Sequence, residues 1–390
     1  MIDKYQDGEI KEIWSKSRKL WIWETLSLTY LNELLSLKGL TKSPLEPFSI
    51  ITEKIDRYER ETKYELDAFL KELSERLSIF DEICPEVCQH LHYGLADSDI
   101  TDTALSLQIR MSVNEIISKM TPLQNTLEEL MTKTEEVHFG THFESFKIEL
   151  DHSTTLLNTA KNSLYGKFTG HVGVSNHISE QAASYTLAKR NLLPVPITNE
   201  IIPRFYYTNT MYALVTLASA LERIATQIRL MAIKEVNKVQ QETLFVSEEI
   251  SDLARLIKTN FAVILNNNNL WWEKDTSHSS VEQIIWPETF HLVSHVLSAM
   301  NNMLINLNLS YAQNPKNSST GSYKEPLKAS SKTSSEEERE STYKVISEAD
   351  EVFYFEATSA DEAELLYNEA YLFPKEPHTH IHKIIKLKEV

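Results

Sequence analysis

Glycine is scarce in this chain: there are 8 among 390 residues, where an average usage of roughly 7% would give about 27. Parallel βαβ folds, sandwiches and phosphate-cradling loops use glycine where the backbone turns tightly or approaches a ligand. Their shortage points to helices. Neither G-x-G-x-x-G nor G-x-x-x-x-G-K-[ST] occurs, so dinucleotide and nucleoside-triphosphate sites of those types are not supported, and no cofactor is expected. Cysteine is scarcer still, with Cys84 and Cys88 alone, too few for a disulfide framework. No apolar run reaches the ~20 residues of a membrane span, and Met1 to Glu12 has no apolar segment of a signal peptide. Basic residues number 39 against 56 acidic ones, a formal charge of −17. That balance argues against nucleic acid or an anionic membrane as partner. A cytoplasmic protein is expected.

What the chain does contain is long apolar periodicity. Ile109, Val113, Ile116, Met120, Leu123, Leu127 and Leu130 recur at spacings of three and four. Leu214, Leu217, Leu221, Ile224, Ile228 and Met231 repeat the pattern, as do Val293, Val296, Met300, Met303 and Leu307. Each set makes one stripe on a helix that must pack against another. Three such stripes predict a bundle of long helices over 95–311, kinked at Pro122. Residues 1–94 read as an N-terminal domain of shorter helices, broken around Thr41 to Pro47. Residues 312–341 are rich in Ser, Asn, Lys and Glu and read as a flexible linker. Residues 342–390 read as a small α/β appendage of βαβ type. It has a strand over Val352–Ala357, a helix from Ser359 to about Tyr371 and a second strand within His380–Val390.

Five segments, in order along residues 1 to 310, resemble the adenylosuccinate lyase branch of the fumarase/aspartase superfamily. Lys4-Tyr5 stands where that family has Arg-Tyr, followed by Ile13-Trp14-Ser15. His92-Tyr93-Gly94-Leu95-Ala96-Asp97-Ser98-Asp99, with Asp102-Thr103-Ala104, is similar to H-[FY]-G-L-T-S-S-D-V-x-D-T-A. Tyr165-Gly166-Lys167 through Gly173 resembles G-K-x-S-G-A-V-G, and Pro196 to Arg204 resembles P-x-S-T-Q-V-[IV]-P-R. Leu270 to Glu282 tracks L-W-H-E-R-D-I-S-H-S-S-V-E. The resemblance implies a mainly α, fumarase/aspartase-like long-helix bundle that assembles as a homotetramer. It also implies purine metabolism and an anti β-elimination that releases fumarate from a small anionic substrate.

The same comparison exposes departures. The family's base is a serine in a mobile loop, G-S-S-x-M-P-x-K-x-N-P, which does not occur here. The chain runs from Lys234 to Ile250 with Ser247 as its one serine, and Ser247 and Ser251 read as cap and surface residues of a helix. Where the family has K-H-D, this chain has Lys63-Tyr64-Glu65. The second family histidine corresponds to His138 or to His142, and the alignment leaves both open. The family's Thr-Ser is Ala96-Asp97, its glutamine is Glu200, its Asp-Arg-His is Phe205-Tyr206-Tyr207, and the arginine after S-S-V-E is Gln283. Carboxylates enter and cations leave, so a polyanionic succinyl nucleotide should bind poorly.

Cys84-x-x-x-Cys88-x-His90-x-His92 has ligand-type side chains at high density, but its spacing is not that of a zinc site, and it reads as packing. His378, His380 and His382 alternate as the polar face of a strand. Glu336-Glu337-Glu338 reads as solvated linker and Trp271-Trp272 as packing. No metal site is expected.

Two functions remain in view. One is a degenerate lyase homologue, structural or regulatory, in a homotetramer or a hetero-oligomer with an active paralogue. The other is an active lyase on adenylosuccinate or a less anionic succinyl amine. For that case the resemblance implies His142 or His138 as proton carrier and Lys4, Tyr5, Ser98, Asp99, Lys167, Arg204, Ser279 and Ser280 as the substrate-binding set.

Overall fold

The computed structural model describes residues 2–40, 45–47, 50–78, 87–133, 137–171, 178–197, 200–234, 241–269, 277–307, 341–347, 352–357 and 381–386. The chain forms two compact units, Met1–Ala312 and Gln313–Val390. In the first unit, a 3-10 turn at Asp3–Tyr5 is followed by α1 (Gly8–Ile13), α2 (Lys16–Leu37), α3 (Thr52–Thr62), α4 (Glu65–Leu77) and α5 (Val87–His90). The long elements are α6 (Asp97–Lys133), α7 (Val137–Asn162), α9 (Phe205–Lys234), α10 (Gln241–Asn266) and α11 (Ser277–Ile305). The shorter α8 (Glu180–Lys189) lies between α7 and α9.

Local chemistry starts these helices. The Asp7 carboxylate accepts the Glu9 and Ile10 amides, each at 3.0 Å, and opens α1. The Ser15 hydroxyl accepts the Arg18 amide at 3.1 Å and opens α2, each satisfying an otherwise orphaned donor. Asp97 and Asp99 in the first turn of α6 complement its dipole. Lys63 ends α3 in the left-handed region, φ 63°, and Tyr64 is extended at the start of α4. That tight corner brings Tyr64 to the surface.

The long helices close on themselves. α6 packs on α7, α7 on α9, α9 on α10, α10 on α11, and α11 returns to α6. The three apolar stripes face inward: Ile109, Val113, Ile116, Met120, Leu123 and Leu127 are all fully buried, as are Leu214, Leu217, Leu221, Ile224 and Ile228, and Val293, Val296 and Met300. Complete burial of each such side chain contributes about 1.5–3 kcal/mol. α6 continues through Pro122. The two-stranded parallel pair β1 (Tyr165–Gly166) and β2 (Leu193–Pro194) carries the chain across α6.

Ser247 and Ser251 correct an expectation. They are buried inside α10, where the Ser247 hydroxyl donates to the Thr243 carbonyl at 2.8 Å and Ser251 donates to Ser247 at 3.0 Å. Neither is a cap or a surface residue, because α10 begins six residues before Ser247, at Gln241.

The second unit holds a three-stranded antiparallel sheet in the order β4-β3-β5, with β3 at Ser341–Ser347, β4 at Val352–Ala357 and β5 at Ile381–Lys386. The strands expected at 352–357 and within 380–390 do not touch, since β3 lies between them and pairs with both. The 312–341 linker, apart from Ser341, lies outside the described residues. So do the helix expected from Ser359, Cys84, Trp271-Trp272, Glu336-Glu337-Glu338, His378 and His380.

Candidate functional site

A cleft of about 490 Å³ opens in the helical unit. One wall is α6, whose Ser98, Thr101, Asp102, Leu105 and Gln108 fall on one helical stripe. Opposite stand Trp14, Lys16, Lys19 and Trp23 around the start of α2, and Tyr64, Glu65 and Leu66 at the start of α4. Ile201, Arg204, Ser279, Glu282, Gln283 and Pro287 complete the lining. Segments far apart in sequence, each carrying part of the resemblance described above, therefore meet in one place.

Arg204 is saturated. Its Nε and one terminal nitrogen donate to Glu282 at 2.8 and 3.1 Å, and its terminal nitrogens donate to Asp102 at 2.8 and 3.2 Å. A further bond reaches the Ile202 carbonyl at 2.9 Å. Burial opposes the guanidinium charge, but the two carboxylates overcome it and hold Arg204 above its ordinary value. Burial likewise pushes the Glu282 carboxyl up, against the pull of Arg204. Tyr207, fully buried beside them, is raised by burial, and its hydroxyl lies 3.0 Å from Ser106 Oγ.

A second knot lies deeper. Lys167 donates to Asp99 at 2.6 Å and to the Gly170 carbonyl at 2.9 Å, with both charged side chains fully buried. Asp99 also accepts the amides of Ala96, Thr169 and Gly170 at 2.8, 3.0 and 2.9 Å. Gly170 adopts φ +71°, and a Cβ there would sit 2.7 Å from the Gly94 carbonyl oxygen.

At the cleft rim, Lys19 bonds Glu65 at 2.6 Å, and Lys16 bonds Asp56 and Glu59 at 2.5 and 3.1 Å. Every Lys and Arg among the described lining residues thus has a carboxylate partner. Ser98 donates to the Glu200 carbonyl oxygen, and Ser279 is exposed.

Of the residues named from sequence, Ser98, Arg204 and Ser279 line this cleft. Asp99 and Lys167 form the buried pair, and Ser280 is exposed on α11. Lys4 and Tyr5 lie elsewhere, against α10 and α11. Lys4 pairs with Glu249, and the Tyr5 ring meets His295 edge-on at 5.0 Å, beside a groove of about 590 Å³ that Glu249 and His295 help to line. His142 is half-buried on α7 with its ring 6.4 Å from Phe146, and it is not one of the described residues lining the cleft. His138 lies on the same helix, and its side chain is outside the described residues. Cys88 bonds the Ser74 carbonyl, and His92 is pushed below its ordinary value by burial.

Lys16, Lys19 and Trp23 belong to no motif in the sequence, and only their spacing of three and four on α2 marks one face. Asp102 and Glu282 stood inside the quoted segments, but their shared partner Arg204 is visible only in three dimensions.

A family model described as Lyase matches residues 49–248, just over half of the chain. The chain belongs to this lyase family. It is similar to the adenylosuccinate lyase of Aquifex aeolicus, 26% identical across 78% of this chain and 76% of that one. The adenylosuccinate lyase of Streptococcus mutans is 27% identical, across 79% and 77%. These likenesses set the chain on the adenylosuccinate lyase branch of the fumarase/aspartase superfamily. Its fold is also that of a fumarate lyase from Mesorhizobium sp. BNC1, with a TM-score of 0.66 at 20% identity over 78% of this chain and 76% of that chain. The 3-carboxy-cis,cis-muconate lactonizing enzyme of Pseudomonas putida shares it too, with a TM-score of 0.65 at 16% identity over 77% and 75%. Among the described residues, no helix is long and apolar enough to cross a membrane.

Proposed function

We propose that this lyase-family chain is a degenerate homologue that has lost the fumarate-releasing elimination and serves a structural or regulatory role. That role would be exercised in the cytoplasm, in a homotetramer or a hetero-oligomer with an active paralogue of purine metabolism. The observation that carries the reading is the charge state of the cleft: Arg204, Lys16 and Lys19 are each matched by carboxylates of the chain itself. An incoming polyanion must displace those partners, which costs kilocalories at the buried Arg204 and about 0–1 kcal/mol at each of the part-exposed Lys16 and Lys19. Acid–base chemistry is weakened as well. Tyr64, rather than a histidine, lines the cleft, and residues 235–240 between α9 and α10 contain no serine. The hydroxyls of Ser247 and Ser251 are tied to backbone carbonyls inside α10. Loss of one general base alone typically costs ~10²–10⁴ in rate. In this reading Asp99, Lys167 and Arg204 frame the site, and Ser98 and Ser279 remain from the ancestral anion site.

The alternative, an active C–N lyase releasing fumarate from adenylosuccinate or a less anionic succinyl amine, draws support from Ser98, Ser279 and Arg204 sharing one cleft. His142 or His138, supplied by a second subunit, would carry the proton, with Lys4, Tyr5 and Ser280 completing the substrate set. Incubating the purified protein with adenylosuccinate and with related, less anionic succinyl amines, and following fumarate, tests the two readings. Ordinary enzymes turn over about 10 times per second. Release slower than about 0.1 s⁻¹ is expected, and faster release would overturn the degenerate reading.

A further inference from the structure

The cleft is more than neutralised. Its lining carries the carboxylates of Glu65, Asp97, Asp102 and Glu282 against the cations Lys16, Lys19 and Arg204, and Asp56 and Glu59 add two further negative charges at Lys16. Asp97 is the lining carboxylate left over. Its side chain is 62% exposed, and among the described residues its nearest cation-forming group is His92, with Nε2 3.9 Å away. The walls beside these charges are apolar or aromatic: Trp14, Trp23, Tyr64, Leu66 and Leu105. The cleft already displays the contact such walls favour, because the Lys19 ammonium lies 5.2 Å from the centre of the Trp23 ring. An ammonium over an indole face gains about 0.5–2 kcal/mol, most where water is excluded.

We propose that this cleft binds a small organic cation with an aromatic or apolar body, its ammonium group directed to Asp97 and its body against the Trp23 and Tyr64 walls. The proposal rests on the preceding reading, in which the cleft no longer serves a polyanion, and it names the ligand class that replaces it. Selectivity follows from charge: an amine meets an open carboxylate, whereas a carboxylate of the same size must compete with Glu65 for Lys19 and with Asp56 and Glu59 for Lys16.

Titration calorimetry of the full chain with 2-phenylethylamine, 3-phenylpropionate and 2-phenylethanol tests this, since the three probes share a ring and differ in charge. The amine is expected to bind about 10-fold or more tightly than the carboxylate, a difference of about 1.4 kcal/mol. Asp97→Asn, at an exposed position in the first turn of α6, is expected to weaken the amine about 5-fold or more and leave the alcohol unchanged. Tyr64→Ala is expected to weaken both amine and alcohol. The proposal is overturned if the carboxylate binds as tightly as the amine, if the amine shows no binding at millimolar concentration, or if Asp97→Asn leaves its affinity unchanged. Fumarate release is a separate readout. Amine binding together with rapid release sinks the degenerate reading alone, and absence of both sinks the cation site alone.

Discussion

The ammonium of Lys167 lies 2.6 Å from Oδ1 of Asp99, and neither side chain touches solvent. Three backbone amides also converge on that carboxylate, so the pair joins α6 to the segment after β1 through both charge and main chain. Lys167→Met would leave the Asp99 carboxyl buried and without the ammonium it pairs with. Breaking a buried pair in this way costs about 3–5 kcal/mol. The expected result in urea unfolding is a lower midpoint with an unchanged slope, and a loss under 1 kcal/mol would contradict the assigned geometry.

Arg204 gives a sharper test, because it is shared by Asp102 and Glu282. Arg204→Gln leaves two buried carboxylates facing each other and should cost about 3–5 kcal/mol. Arg204→Lys should recover only part of this loss, since an ammonium cannot reproduce two bidentate contacts. The double variant Asp102→Asn/Glu282→Gln in an Arg204→Gln background should be more stable than Arg204→Gln alone, as a double-mutant cycle would show.

His291 makes stability depend on pH near neutrality. Its Nδ1 accepts the Asp7 amide at 3.0 Å, and burial holds its pKa below the ordinary value; His92 is lowered for the same reason. The unfolded chain takes up these protons at about pH 6.5, while the folded chain resists until lower pH. Stability is therefore full above about pH 6.5 and declines as pH falls through the window beneath it. His291→Asn, whose carbonyl can still accept the Asp7 amide, should flatten part of that decline in a thermal-midpoint series. Asp7 acts in a separate, more acidic range. Burial alone would raise its pKa, but Lys119 and the Ile10 amide bring it below the ordinary value, so its contribution is lost only beneath about pH 4.

Gly170→Ala should be destabilising by about 1–3 kcal/mol, because φ +71° is strained for alanine and its Cβ would meet the Gly94 oxygen. Gly8→Ala, in open space within the first turn of α1, should be neutral or stabilising by up to about 1 kcal/mol. The contrast between the two in one melting experiment separates backbone demand from a general tolerance of alanine.

The bundle was legible because Ile109, Leu217, Val296 and their repeats sit at the helical period, and inward packing is the only outlet for such stripes. β3 was not, because its apolar alternation is brief and it begins inside a stretch whose composition reads as linker. The cleft was legible as a set of segments. What escaped was pairing: Lys167 and Arg204 look like ligand-binding cations in one dimension, and the carboxylates that neutralise them lie 68 and 78 to 102 residues away. Ser247 and Ser251 were misread for a related reason, since the start of α10 at Gln241 carries no strong cap signal in the sequence.

Ring closure of the five long helices also bears on how such a protein can change. α9 and α10 are already lateral neighbours through their helix faces, so their packing is set by residues outside the segment of sequence that joins them. Loop-closure entropy grows only slowly with length, so lengthening or shortening such a segment costs the bundle little. In this architecture helix packing and the chemistry of the connections are set by different residues, so either can change without the other.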